Sequence, residues 1–128
     1  MAASFGYYYS ETAGVVSAGG DIEFDEFTEQ VNLTPESNGT VIRVLAAGVY
    51  RVSYGVTATL SADAAVALYR NGVQAEGSLI ALTTSGDSAA GEVLLALAVN
   101  DTLELRVTSG SITLISGVNA YLSVTQIA

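Results

Sequence analysis

The most regular alternation in the chain runs from Ala47 to Leu60. Tyr50, Val52, Tyr54, Val56, Ala58 and Leu60 share one parity, and Val49, Arg51, Ser53, Gly55, Thr57 and Thr59 the other. A side-chain period of two marks a half-buried strand, so this stretch predicts one long strand whose first set faces the core. Val41 to Leu45 predicts a shorter strand before it, joined through Ala46-Ala47-Gly48 as a hairpin. Ala64 to Arg70 and the segment from Val73 flank Asn71-Gly72, a strong hairpin signal because both central residues of the tight turn need positive φ. Leu79 to Thr83, Thr102 to Thr108 and Ile112 to Ile115 read as further strands. In the last strand Val118, Ala120, Leu122 and Val124 point one way, with Tyr121 and Ile127 opposite. Val93 to Val99 is apolar on both faces, and Gly91 and Asn100-Asp101 bracket it too closely for a helix, so it predicts a strand.

The N-terminal third is less regular. Ser4 to Ser10 carries Phe5, Tyr7, Tyr8 and Tyr9, which puts aromatic surface on both sides of an extended segment. A strand of a small sandwich has only one inner face, so either Tyr8 or the Tyr7 and Tyr9 pair is left for another subunit. Glu11 to Gly20 predicts a short strand around Val15 and Val16 within a loop. Asp21, Glu23 and Asp25 alternate with Ile22 and Phe24. Clustered carboxylate oxygens suit calcium, but alternate positions on a strand stand roughly 7 Å apart, and charges on an exposed strand also discourage edge pairing. Phe27 to Thr40, with Pro35 and Asn38-Gly39, reads as a strand end and a loop. Ser61 to Asp63, Thr84 to Ser88 and Ser109 to Ser111 are small, polar loops. About ten short strands with frequent turn signals and no amphipathic helix predict an all-β sandwich or barrel.

Composition narrows the function. At 128 residues the chain is one domain, 1–128. Half of it is hydrophobic and only 13% charged, yet no apolar run approaches the roughly 20 residues of a spanning helix, so the surplus apolar surface points to a subunit interface. A net charge of −9, with four arginines and no lysine, argues against nucleic acid and against an anionic membrane. Cysteine and histidine are absent as well, which removes disulfides, zinc sites and the commonest catalytic nucleophiles and bases. A carboxylate-based hydrolase has Glu11, Glu76, Glu92 and Glu104 to draw on, but no spacing marks two of them as partners. Met1 ahead of a strand-like segment reads as an added start, and the first residues carry no secretory pattern. Asn32, Asn38 and Asn100 each head an Asn-x-Ser/Thr sequon, relevant only in a secretory host.

Six segments, in order, resemble one family: Phe5-Gly6-Tyr7, Ile22-Glu23-Phe24-Asp25, Ala47-Gly48-Val49-Tyr50, Leu68-Tyr69-Arg70-Asn71-Gly72, Asn100-Asp101-Thr102-Leu103-Glu104-Leu105-Arg106 and Asn119-Ala120-Tyr121-Leu122-Ser123-Val124. This pattern is similar to the C-terminal domains of BclA-like collagen-like glycoproteins of bacterial spore surfaces. Asn100 departs from it, standing where the family often has glycine. The resemblance implies a C1q/TNF-like jelly-roll β-sandwich of about ten antiparallel strands that forms a homotrimer. It also implies that the sheet holding the first, long and last strands faces the threefold axis. Tyr8, Arg51, Ser53 and Tyr121 are then the interface candidates. The implied role is structural: the trimerising head of a collagen-like filament on the spore exosporium or cell surface, without catalysis or cofactor. The alternative is a head that binds a host surface protein or glycan, or a phage fibre tip.

Overall fold

The computed structural model describes residues 4–59, 63–82, 88–115 and 117–128. Leu60, Ser61, Ala62 and the polar loop from Thr84 to Asp87 lie outside the described residues. The described chain forms thirteen strands: β1 (Phe5–Ser10), β2 (Gly14–Ser17), β3 (Glu26–Val31), β4 (Leu33–Glu36), β5 (Val41–Val44), β6 (Gly48–Thr59), β7 (Ala64–Arg70), β8 (Val73–Gln74), β9 (Ile80–Leu82), β10 (Ser88–Leu97), β11 (Thr102–Ser109), β12 (Ser111–Leu114) and β13 (Ala120–Gln126). One antiparallel sheet has the order β2-β12-β6-β13-β1-β3, with β10 on the opposite edge of β6; the other runs β4-β5-β11-β7-β8, with β9 also on β7.

β6 organises the first sheet, as its alternation predicts. Tyr50, Val52, Tyr54, Val56 and Ala58 are all buried at 2% exposure or less. They pack against Leu103, Leu105 and Val107 of β11 and Val66 and Leu68 of β7 in one continuous core. Burying a side chain of this size contributes about 1.5–3 kcal/mol. The phenols are satisfied where they stop: Tyr50 donates to the Ala46 carbonyl at 2.7 Å and Tyr54 to the Ser78 carbonyl. Asn71 and Gly72 have φ of 53° and 80°, and β7 pairs with β8 across them, as the Asn-Gly turn requires.

Three expectations are corrected. β5 and β6 do not form a hairpin: β5 pairs with β4 and β11, so Ala46-Ala47-Gly48 carries the chain from one sheet to the other. Alternation is the same on either side of a hairpin and an arch, and only the partners differ. Phe27 to Thr40 holds most of β3 and all of β4 rather than mainly loop. Pro35 is tolerated there because β4 is an edge strand. Asp21 to Asp25 is not a strand, since only Asp21 makes an isolated bridge, to Arg106. Ile22 and Phe24 still turn inward, at 0% and 3% exposure.

Candidate functional site

Directly paired residues share a face of a sheet, so register defines what the first sheet shows to the outside. Across β1, β13, β6 and β10 one row reads Tyr9, Tyr121, Gly55, Ala90. The next reads Tyr7, Ser123, Ser53, Glu92, and the third Phe5, Thr125, Arg51, Leu94. On β3, Glu26 stands beside Tyr9. The outer face is therefore aromatic along β1 and at Tyr121, and small or charged across β6 and β10 apart from Leu94.

The aromatic half is ordered by stacking. The Tyr7 ring lies 5.8 Å from Tyr9 and 6.1 Å from Tyr121, tilted only 21° from the latter. Tyr121 settles over Gly55, where a Cβ would come within 2.5 Å of the ring. Beside Tyr121 a recess of about 320 Å³ opens over Gly55, Thr57, Ala89, Ala90 and Val118. Phe5 and Leu94 are 39% and 59% exposed. Burial, and then the carboxylates of Glu11 and Glu26, push the Tyr9 phenol above its ordinary value. Ser53 donates to Glu92 Oε2 at 2.9 Å, and the Arg51 Nε stands 3.8 Å from Glu92 Oε1. Both of those charges are half exposed, so the pair adds little stability.

Of the interface candidates, Arg51, Ser53 and Tyr121 lie together on this face, and Tyr8 does not. Tyr8 is fully buried, pairs with Leu122, and donates its hydroxyl to Gln30 Oε1 at 2.7 Å. Three consecutive tyrosines leave the phase of β1 open, and pairing with β13 sends Tyr7 and Tyr9 outward instead. Leu94 and Ala90 were not among the candidates. The two-faced apolarity of β10 was their signal, because its inward set already fills the core edge through Val93, Leu95 and Leu97.

The carboxylates Asp21, Glu23 and Asp25 do not converge on an ion. Asp21 accepts from Arg106 at 2.9 Å, and Arg106 also holds Glu104 at 3.1 Å while its guanidinium lies 4.2 Å over the Tyr69 ring. A hydrogen bond with Asp21, followed by burial, raises the Glu104 carboxyl above its usual range. Asp25 accepts from Thr12 at 2.7 Å, and Glu23 is exposed. Among the described residues no group of three or more carboxylates is placed to hold a metal. Of the acids a hydrolase would need, Glu92 is engaged by Ser53 and Arg51 on one sheet, and Glu104 by Arg106 on the other.

In three dimensions the chain is similar to Eiger TNF from S. frugiperda, with a TM-score of 0.81 at 17% identity, covering 100% of this chain and 94% of that one. It is similar to murine APRIL with a TM-score of 0.75 at 12% identity, over 98% and 100% of the two chains. The globular domain of the zebrafish complement 1qA protein aligns with a TM-score of 0.69 at 10% identity, over 98% of each chain. These likenesses establish the TNF and C1q jelly-roll fold. Among curated proteins, none matches. The family model for the BclA C-terminal domain matches residues 6–128, and the chain belongs to that family.

Proposed function

We propose that this domain is the trimerising head of a collagen-like filament protein on a bacterial spore or cell surface, with a structural rather than a catalytic task. The observation that carries the reading is the outer face of the first sheet. Tyr7, Tyr9, Tyr121, Phe5 and Leu94 lie there on a domain whose own core is already filled from the opposite face. A handful of such side chains, at about 1.5–3 kcal/mol each when buried, outweighs an association cost of about 4–15 kcal/mol. Three copies triple a charge of −9, but exposed charges are screened beyond about 10 Å in ordinary salt. Membership of the BclA C-terminal domain family supports a threefold assembly and a place on the exosporium. Among the described residues, a host protein or glycan as ligand has no comparable feature in its favour. Light scattering over a dilution series is the test: a stable mass of three chains, lowered by Tyr121→Ala, supports the reading, and a single-chain mass at every concentration overturns it.

A further inference from the structure

On the side of the sandwich away from β10, the two sheets end in free strands. β3 is the last strand of the first sheet and β4 the first of the second, and the chain passes from one to the other through Asn32, at a φ of 59°. Between these strands lies a cleft of about 470 Å³. Buried Phe24 forms its floor, and Phe27 and Pro35 form its walls. Phe27 shares the inward parity of Tyr8, and its ring leans on the Tyr8 ring with 6.3 Å between centroids. It is nevertheless 50% exposed, because no further strand follows β3 to cover it. Glu23 and Asp25 stand on the rim of the same cleft, and the exposed Glu26 and Glu29 flank the ring along β3. Arg43, on the neighbouring β5, does not neutralise these acids. It closes on Glu36 through two hydrogen bonds of 2.8 Å and on the Asn100 carbonyl through a third.

An aromatic face beside carboxylates favours a broad, weakly hydrated cation, which stacks on the ring while its N–H groups reach the acids. A second copy of the chain is a poor source of one. It has no lysine, Arg43 and Arg106 are held by carboxylates, and Arg51 and Arg70 stand against β10 at the far side of the first sheet. We propose that this cleft is a binding site for the guanidinium group of an arginine on an extended segment of a different protein, held over the Phe27 ring and between the Glu23 and Asp25 carboxylates. It is a local contact, far smaller than the outer face of the first sheet. It lies apart from the face that carries the trimeric reading, and neither depends on the other.

The chain has three phenylalanines, Phe5, Phe24 and Phe27, so isotope labelling of the phenylalanine rings places nuclear magnetic resonance reporters inside the cleft and outside it. The probe is a blocked hexapeptide of alternating threonine and arginine, compared with versions carrying citrulline or lysine in place of arginine. The site predicts a saturable shift of the Phe27 signal, a smaller one at Phe24 and none at Phe5. The citrulline peptide should bind about tenfold more weakly or worse, with the lysine peptide in between. Glu23→Gln with Asp25→Asn removes charge while keeping shape, and should weaken the arginine peptide about tenfold. The same loss of charge at Asp63→Asn with Glu76→Gln, both exposed elsewhere, should weaken it less than about twofold. An unmoved Phe27 signal, equal binding of the citrulline peptide, or equal losses in the two charge-deleted variants would each overturn the proposal. Spermidine giving the same saturable shift at the same concentration would show a site for a free polyamine and overturn the peptide assignment. Each of these outcomes leaves the solution mass, and with it the trimeric reading, untouched.

Discussion

Gly39 offers a test of the fold that is independent of assembly, because it lies away from the outer face, in the turn between β4 and β5. It is buried with φ of +86°, and a Cβ built there would stand 2.1 Å from the Phe24 carbonyl oxygen and 2.7 Å from its carbon. The Phe24 amide also donates to the Gly39 carbonyl at 2.9 Å. Gly72 is the matched control: its φ is +80°, yet nothing lies within 4 Å of its Cβ position. Gly72→Ala should therefore lose only the conformational component, about 1–2 kcal/mol for a left-handed residue with a Cβ. Gly39→Ala loses that component and also drives the backbone at Phe24 away. The displacement breaks a hydrogen bond of about 1 kcal/mol and withdraws part of the roughly 1.5–3 kcal/mol that burial of the phenylalanine provides. The expected total is about 3–5 kcal/mol. With a urea slope near ~2 kcal/mol per molar, the midpoint should fall by roughly 0.5–1 M for Gly72→Ala and by roughly 1.5–2.5 M for Gly39→Ala. Far-ultraviolet circular dichroism at matched protein concentration reads both, since association would otherwise shift the midpoint. Equal losses for the two variants would refute the steric argument, leaving φ alone to explain them.

Other substitutions probe single groups. Burial raises the Tyr8 phenol well above its ordinary value near 10, so the folded state holds a proton that the unfolded chain releases as the pH climbs past 10. Stability should fall over that range, and Tyr8→Phe should flatten the alkaline limb in urea titrations at pH 9 to 11 while costing about 1 kcal/mol at neutral pH. Asp101 is held below its usual range by the Ala98 amide and the Asn71 side chain. Its contribution is present above pH ~4 and disappears as the pH falls through the lowered value. Asp101→Asn should cost less than about 1 kcal/mol at pH 7, because the carboxylate is largely solvated, and the difference from the parent should close below pH ~3. Asn119 is buried, and its amide nitrogen serves the carbonyls of Thr12 at 3.0 Å and Ile115 at 2.7 Å. Asn119→Ala strands both acceptors and should lower stability by about 2–4 kcal/mol, measured as a thermal midpoint with unchanged solution mass.

How much of this was legible beforehand depended on whether one chain segment carried its own answer. β6 did, because five inward positions in strict alternation leave no other phase, and so did the Asn71-Gly72 turn. β3 did not. Glu26 to Glu29 is exposed throughout, so no apolar period marks the strand, and its extended form comes from backbone pairing with β1. The arch after β5 is not written locally, because choosing between hairpin and arch requires knowing that β5 meets β11, about 60 residues further along. Tyr8 shows the same limit at the site. The inward parity of Leu122 was readable, and so was the aromatic run in β1, but nothing local states that Tyr8 lies opposite Leu122. Arg51, Ser53 and Tyr121 share an outward face because β6 and β13 each declare their parity. Leu94 and Ala90 became visible only when β10 was placed on the free edge of β6.

The strand order also bears on how the molecule is made. Within the domain, β13, the C-terminal strand, lies between β1, the N-terminal strand, and β6. Until residues 120–126 are available, β1 lacks its inner neighbour and most of one edge of β6 has no pairing partner. A nascent chain therefore cannot complete the sheet from its N-terminus forward. Closure waits for contacts between residues more than 100 positions apart, as between Phe5 and Thr125, and pairings of that range form slowly. In the interval the hydrophobic faces of β1 and β6 remain open to other nascent chains, so a pause in translation before residues 120–126 should favour aggregation. A stop before Ala120 would delete a central strand rather than trim an end.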